Sequence, residues 1–145
     1  SEFVIQIPAM FFLKGSKFLG KNFSLLNGEK TMIDFACKKF DLEEIVKCSL
    51  GLSKSEFRIL KFLIANDNRY MTEELSDRLG LDKSTIQRGV KKLHQKGLVV
   101  RGQINQSKGG YVFYYRIKEK DQIRHIIIDI VEGWTKGVKR EILNW

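Results

Sequence analysis

The sequence predicts a mainly α-helical fold (α+β) with one small β-hairpin and a long C-terminal helix. Three observations support this prediction. In the middle of the chain, apolar residues recur at helical spacing between residues that cap helix starts and glycines that end helices. Residues 98–117 are then rich in β-branched and aromatic residues around a polar loop, which is typical of two strands and a turn. From residue 119 onward, helical spacing returns.

The length and composition predict one folded domain with extensions. The 145 residues are 43% hydrophobic and 30% charged, with a single proline and no low-complexity tract. We expect an N-terminal extension over residues 1–31, a principal domain over residues 32–118 and a C-terminal helix over residues 119–145. The extension contains Asn27-Gly28, a dipeptide that favours a tight hairpin turn.

Two helices are predicted in the first part of the principal domain. Helical spacing begins near Asp34 and is clearest in "DLEEIVKCSLG", which Gly51 would end. The second helix lies in "SKSEFRILKFLIAN". There Ser53 and Glu56 have the spacing of a capping box, in which each side chain bonds the other residue's backbone N–H.

Two further helices follow with a three-residue turn between them. The third helix lies in "MTEELSDRLG", with Thr72 as its predicted N-cap and Gly80 at its end. The fourth lies in "LDKSTIQRGVKKL", where Asp82 is a suitable cap, and it would run to about Lys96, with Gly97 as its end. Two short helices joined in this way are typical of a helix-turn-helix.

The last part of the chain predicts a β-hairpin and an exposed helix. "LVVRGQI" and "YVFYYRI" form the strands, and "NQSKGG" forms the loop between them. A helix of about 25 residues would extend roughly 37 Å, more than a small domain can cover. Part of its apolar stripe is therefore expected to contact a second subunit. The expected dimer-interface residues are Ile123, Ile127, Ile130, Trp134 and Val138.

The excess positive charge is confined to one segment. The net charge is +9, and the stretch from Lys83 to Lys118 contains nine basic residues and no Asp or Glu. The rest of the chain has 26 − 9 = 17 basic and 17 acidic residues, so it is neutral. A segment of one sign favours a polyanionic partner, most often nucleic acid.

The fourth helix places this charge opposite its apolar side. At 100° per residue, Ile86, Val90 and Leu93 fall on one face. The opposite face contains Ser84, Gln87, Arg88, Lys91 and Lys92. Such side chains can bond phosphates, and Gln or Arg can also make bidentate contacts with base edges in the major groove. The pattern therefore predicts binding to double-stranded DNA.

The order of helices and hairpin is that of a winged helix-turn-helix. "LSKSEFRILKFLI", "MTEELSDRLGLDKSTIQRGVKKLHQKGLVVR" and "GGYVFYYRI" resemble the small MarR-like and TrmB-like transcriptional regulators of archaea and bacteria, from about Leu50 to the C-terminus. The resemblance implies a sequence-specific regulator that binds a pseudo-palindromic DNA site as a homodimer. Matched by position, the implied DNA-binding residues are Thr72, Lys83, Ser84, Thr85, Gln87 and Arg88 in the two helices, and Arg101 and Lys108 in the wing. Residues 1–31 do not match the family, and no effector is indicated.

Other functions are less well supported. No catalytic group, metal-ligand cluster or cofactor motif can be assembled, and Cys37 and Cys48 are expected to be reduced packing thiols. The longest apolar run, residues 4–13, is about half of a membrane span, so we expect a cytoplasmic protein without membrane contact. The aromatic residues of the second wing strand are expected to pack rather than to stack on bases. Two alternatives stay open, a winged-helix protein-interaction module and an RNA-binding winged helix.

Overall fold

The structure is a computed structural model that describes residues 30–145, and these residues form two compact units. The first unit comprises residues 30–51 together with residues 124–145, and the second unit comprises residues 52–123. In chain order the elements are β1 (Met32–Phe35), β2 (Lys38–Asp41), α1 (Leu42–Leu50), α2 (Lys54–Ala65), β3 (Tyr70–Met71), α3 (Thr72–Leu79), α4 (Lys83–Gln95), β4 (Val99–Asn105), β5 (Tyr111–Ile117) and α5 (Lys120–Leu143). The predicted fold class is confirmed.

The first unit begins with a hairpin that the sequence patterns did not predict. Strands β1 and β2 pair antiparallel through a two-residue turn in which Ala36 has a φ of 46°. Helix α1 follows directly, because the Asp41 carboxylate accepts a hydrogen bond from the Glu43 backbone N–H at 3.1 Å. Gly51, in the left-handed conformation at a φ of 62°, ends the helix as predicted. The helical spacing expected near Asp34 therefore begins only at Leu42.

The second unit contains a helical core of the expected kind. Helix α4 packs against α2, α3 and strand β4. The side chains with no exposed surface are Ile59, Leu60, Leu63, Leu75, Ile86, Val90, Leu93, Leu98 and Val99. Removing a large side chain from such a core typically costs about 2–5 kcal/mol. The packing therefore fixes which face of α4 is turned outward.

The wing is a three-stranded sheet rather than an isolated hairpin. Strands β4 and β5 pair antiparallel from Val99 opposite Ile117 to Asn105 opposite Tyr111. The two-residue strand β3 adds to the other edge of β5, so the order is β3-β5-β4. This strand also explains why Thr72 is not the N-cap of α3. Met71 is held extended by its pairing in the sheet and occupies the cap position, without a side-chain cap, and the helix begins at Thr72.

Candidate nucleic-acid interface

The turn between α3 and α4 is held by three local features. Gly80 takes a left-handed φ of 65°, which favours glycine and reverses the chain after α3. The Arg58 side chain of α2 donates a hydrogen bond to the Leu79 carbonyl oxygen at 2.8 Å, and the Ser76 hydroxyl donates to the Leu81 carbonyl oxygen at 2.5 Å. The three-residue turn expected from the sequence is present, and these bonds set the direction in which α4 leaves it.

The start of α4 is capped by a compact set of hydrogen bonds. The Asp82 carboxylate accepts from the Thr85 backbone N–H at 3.1 Å and from the Thr85 hydroxyl at 2.6 Å. It also accepts a hydrogen bond from the Ser84 hydroxyl. These bonds stabilise the ionised carboxylate and hold the pKa of Asp82 well below its ordinary value. The hydroxyls of the predicted DNA-binding residues Ser84 and Thr85 thus bond the cap residue.

The outward face of α4 presents three polar side chains toward solvent. Gln87, Arg88 and Lys91 are exposed, and none has a hydrogen bond or ion pair with another side chain in the part of the chain that the structure describes. Their donors are therefore available to a ligand. The buried face opposite them contains Ile86, Val90 and Leu93, as the spacing predicted.

Two other lysines of the predicted interface are paired with carboxylates of neighbouring helices. The Lys83 Nζ atom lies 2.5 Å from the Glu73 Oε1 atom, and the pairing lowers the pKa of Glu73. The Lys92 Nζ atom lies 3.3 Å from the Glu56 Oε2 atom, which also bonds the Ser53 backbone N–H in the confirmed capping box. Counting charges along α4 could not reveal these partners, because they come from α3 and α2.

The first turn of α3 contains the predicted DNA-binding residue Thr72 and, beside it, carboxylates that would repel a phosphate. Thr72 is half-buried at the N-terminus of the helix, where backbone N–H groups can bind an anion. Exposed carboxylates follow immediately at Glu73 and Glu74. Their charge opposes a phosphate at this position, although Lys83 offsets that of Glu73. Thr72 is therefore a weaker candidate for phosphate contact than the face of α4.

The wing places its predicted basic residues outside the core. Arg101 on β4 is exposed, with its guanidinium carbon 4.6 Å from the centre of the Phe113 ring, a cation–π arrangement. Lys108 is exposed in the loop, where Gly109 and Gly110 have positive φ values of 91° and 82° and close the hairpin. Both basic groups can reach an anion without unpacking the unit.

One further basic residue of the positive segment is neutralised locally. The Arg116 Nε atom on β5 donates a hydrogen bond to the Asp67 carboxylate at 2.9 Å. This bond lowers the pKa of Asp67 and raises the pKa of Arg116. With Lys83 and Lys92, three of the nine basic residues in the segment are thus paired with carboxylates. The remaining positive charge lies mainly on α4 and on the wing.

The residues predicted for a dimer interface fall into two groups. Ile123 and Ile127 are buried within the single chain, with 3% and 6% of their surface exposed. Ile130 and Trp134 are 38% and 58% exposed, and Val138 is half-buried. Only the second group offers apolar surface to another subunit.

The two cysteines are not packing residues. Cys37 lies in the turn between β1 and β2, and Cys48 lies on the side of α1 away from its buried residues, so both thiols are exposed and free. The expectation that they fill a core was wrong.

In the described residues there is no group of three or more His, Cys, Asp or Glu side chains that could hold a metal ion. Among residues 30–145, no helix is both long and apolar enough to cross a membrane.

The fold and the exposed basic helix define a winged helix-turn-helix protein, the class that the sequence resemblance implied. More particularly, the chain belongs to the family of the DnaD N-terminal domain, whose model matches residues 40–138. An uncharacterised protein of Methanocaldococcus jannaschii is 31% identical over 103 residues, which cover 71% of this chain and 84% of the relative.

Solved structures agree with this classification. A protein of Methanosarcina mazei Go1 described as a possible transcriptional regulator is 44% identical, with a TM-score of 0.77 over 81% of this chain and 98% of its own. A protein of Sulfolobus tokodaii is 22% identical, with a TM-score of 0.57 over 66% of this chain and 93% of its own, which is a likeness of fold alone.

Proposed function

We propose that the protein is a DNA-binding transcriptional regulator whose helix α4 enters the major groove. The observation that carries this proposal is the outward face of α4. Gln87, Arg88 and Lys91 project from a rigidly packed helix without side-chain partners in the described residues, and no Asp or Glu occurs from Lys83 to Lys118. The description of the similar Methanosarcina mazei protein as a possible transcriptional regulator supports the same class of function.

The roles within this face follow from the chemistry of each side chain. Arg88 can make bidentate hydrogen bonds to guanine and Gln87 can do so to adenine, so these two residues would determine sequence preference. Lys91 provides a point charge and would bind phosphate, which fixes position but not sequence. Lys83 and Lys92 would first have to leave Glu73 and Glu56. We therefore assign them a smaller share of the affinity.

The wing and the start of α4 would complete the contact with the DNA backbone. Arg101 and Lys108 are exposed on the wing and would bind phosphates or the adjacent minor groove. The Ser84 and Thr85 hydroxyls bond the Asp82 carboxylate and would thereby hold the first turn of α4 in place. Each hydroxyl would have to leave Asp82 before it could bond a nearby phosphate. Thr72 would make at most a backbone contact.

We further propose that the protein acts as a homodimer on a pseudo-palindromic site. The exposed surfaces of Ile130 and Trp134 on α5 support this assembly, because large apolar side chains on one long helix favour burial against a second copy. In a two-fold dimer the two α4 helices would lie in successive major grooves, roughly 34 Å apart.

Binding measured with three ligands tests the proposal. A DNA duplex, an RNA duplex of matched sequence and a single-stranded DNA are titrated with the protein at several salt concentrations. The proposal predicts preferential binding to the DNA duplex, with affinity that falls as salt rises. Preference for the RNA duplex would instead support an RNA-binding winged helix. Absence of binding to all three would support a protein-interaction module.

A further inference from the structure

The wing has one face on which aromatic side chains continue beyond the core. In the β4–β5 register, Arg101 lies opposite Tyr115, Gln103 opposite Phe113 and Asn105 opposite Tyr111. Directly opposed residues share a face of a sheet, so these six side chains lie on the same side. Tyr115 at the inner end is buried, whereas Phe113 is 37% and Tyr111 is 56% exposed.

The two exposed rings are arranged as a continuous surface. The centres of the Tyr111 and Phe113 rings are 5.3 Å apart with an angle of 64° between their planes, an edge-to-face pair. The Arg101 guanidinium lies over the Phe113 ring on the same side of the sheet. We call the surface formed by Arg101, Gln103, Tyr111 and Phe113 the wing platform.

On the opposite face of the same hairpin, the aromatic ring packs more closely against its own unit. There the Tyr114 ring lies directly against Gly102, so that a Cβ at residue 102 would be 2.1 Å from the ring. The guanidinium carbon of Arg69 lies over the Tyr114 ring, 4.8 Å from its centre. Tyr114 is thus half-buried against its own unit, whereas the Tyr111 ring is 56% exposed.

We propose that the wing platform binds an unpaired DNA base by stacking it on the Tyr111 ring, whose orientation the edge-to-face contact with Phe113 fixes. Aromatic rings and guanidinium planes both stack on bases, and amide side chains such as that of Gln103 can bond base edges. The positive segment from Lys83 to Lys118 contains no carboxylate that would repel the attached phosphate. This charge favours a nucleic acid over an apolar protein partner for the same rings.

This inference rests on the proposed DNA-binding function and extends it. Helix α4 would bind paired DNA in the major groove, and the wing platform of the same compact unit would hold a base released from the neighbouring duplex. The preferred ligand would be a duplex that contains or readily forms unpaired bases. The expectation that the aromatic residues of β5 serve packing alone would then apply to Tyr114 and Tyr115 but not to Tyr111 and Phe113.

The test compares two DNA ligands of otherwise identical sequence, an unbroken duplex and a duplex with a short central bubble of unpaired thymines. Dissociation constants are measured by fluorescence anisotropy with the full chain. The wild-type protein should bind the bubble more tightly. Phe113→Leu and Tyr111→Leu should each weaken bubble binding by about 5- to 100-fold, the range expected from loss of base–aromatic stacking, and should leave duplex binding nearly unchanged.

Two variants serve as controls. Tyr111→Phe keeps the ring and should retain bubble binding. Ile104→Ala removes an exposed apolar side chain from the opposite face of the wing and should also leave it unchanged. Thermal unfolding of every variant shows whether the wing is folded. Equal wild-type affinity for the two ligands, or bubble binding insensitive to both leucine variants, would overturn the stacking proposal.

Arg88→Ala separates this proposal from the proposed function. If Arg88→Ala weakens duplex binding while the leucine variants have no effect on the bubble, the stacking proposal fails and the role of α4 stands. If Arg88→Ala has no effect on the duplex while the leucine variants weaken bubble binding, the role of α4 fails and the wing platform is supported.

Discussion

Gly89 of α4 lies directly against Ile59 of α2, and a Cβ at residue 89 would be 2.5 Å from the Ile59 Cδ1 atom. Both residues are buried, and Ile59 has no exposed surface. The two helices can approach this closely only because residue 89 has no side chain. The contact therefore fixes the distance at which α4, with its outward basic face, packs against the core.

Gly89→Ala should destabilise the protein despite the better helix propensity of alanine. The gain from propensity is about 1 kcal/mol, whereas forcing an additional carbon into a filled core costs about 1–3 kcal/mol. We expect a net loss of up to about 2 kcal/mol in the free energy of unfolding, measured by urea denaturation.

The matched control for this prediction removes the atom that would clash. Valine lacks Cδ1, so Ile59→Val combined with Gly89→Ala should be more stable than the sum of the two single changes implies. Strict additivity in this double-mutant cycle would show that the Gly89–Ile59 contact does not limit the packing of α4.

Stability should depend on pH through the cap of α4. The pKa of Asp82 is lower in the folded protein than its ordinary value of 3.8, because Ser84 and Thr85 bond the ionised carboxylate. Because the folded-state pKa is lowered, the stabilisation that the ionised Asp82 carboxylate provides is fully present above the unfolded-state pKa. This stabilisation is lost as the pH falls from there through the folded-state pKa. Asp82→Ala should therefore lower the melting temperature at neutral pH, and the difference from wild type should shrink below about pH 4.

Asp77→Ala provides the control for the pH dependence. Asp77 is an exposed carboxylate of α3 that makes no hydrogen bond in the described part of the chain. Its replacement should leave the shape of the stability curve against pH similar to that of the wild type. A difference between Asp82→Ala and wild type that stays constant down to pH 2 would contradict the assigned role of the ionised cap.

Arg88→Ala and Lys91→Ala should weaken DNA binding in different ways. Loss of a bidentate base contact costs about 1–3 kcal/mol on a preferred site and relaxes sequence preference. Loss of a phosphate contact weakens all duplexes alike and reduces the slope of log affinity against log salt by about 1. Affinities for a preferred and a scrambled duplex, measured over a salt series, distinguish the two effects.

Lys92→Ala is the comparison for these two variants. Because Lys92 lies beside Glu56, its replacement removes a charge that is already partly offset. We expect a smaller loss of affinity than for Lys91→Ala. A larger loss would mean that the pair with Glu56 opens when DNA binds.

Trp134→Arg should shift the protein toward monomers if α5 forms the proposed dimer interface. The indole is 58% exposed in the single chain, and burial of such a ring would contribute strongly to association. The control variant Glu132→Arg adds a positive charge about 200° around α5 from Trp134. It tests whether any added positive charge on this helix shifts the protein toward monomers. Multi-angle light scattering of the three proteins gives the answer. An unchanged dimer for Trp134→Arg would exclude Trp134 from the interface.

Much of the helical structure could be predicted from local sequence signals. The capping box at Ser53 and Glu56, the cap at Asp82 and the helix ends at Gly51 and Gly80 all appear where expected. These features depend on residues only a few positions apart. Their side chains bond the backbone within one turn, so they are visible in the sequence itself.

The features that were missed depend on residues distant in the chain. Strand β3 is only two residues long and exists because it pairs with Tyr114 and Tyr115 of β5. The partners of Lys83 and Lys92 come from other helices, so charge counting overstated the number of unpaired basic groups. The hairpin of β1 and β2 was missed because its strands are short and its turn is formed at Ala36, a residue that is not a recognised turn signal.

Sequence recognition by α4 can be tested by selecting bound duplexes from a random DNA pool, at roughly 0.15 M salt so that purely electrostatic binding is screened. We expect the wild-type protein to recover a preferred sequence arranged as two half-sites related by two-fold symmetry. Arg88→Ala should lose preference at one position in each half. Recovery of no preferred sequence, with weak binding that vanishes as salt rises, would contradict the proposal that α4 recognises DNA sequence.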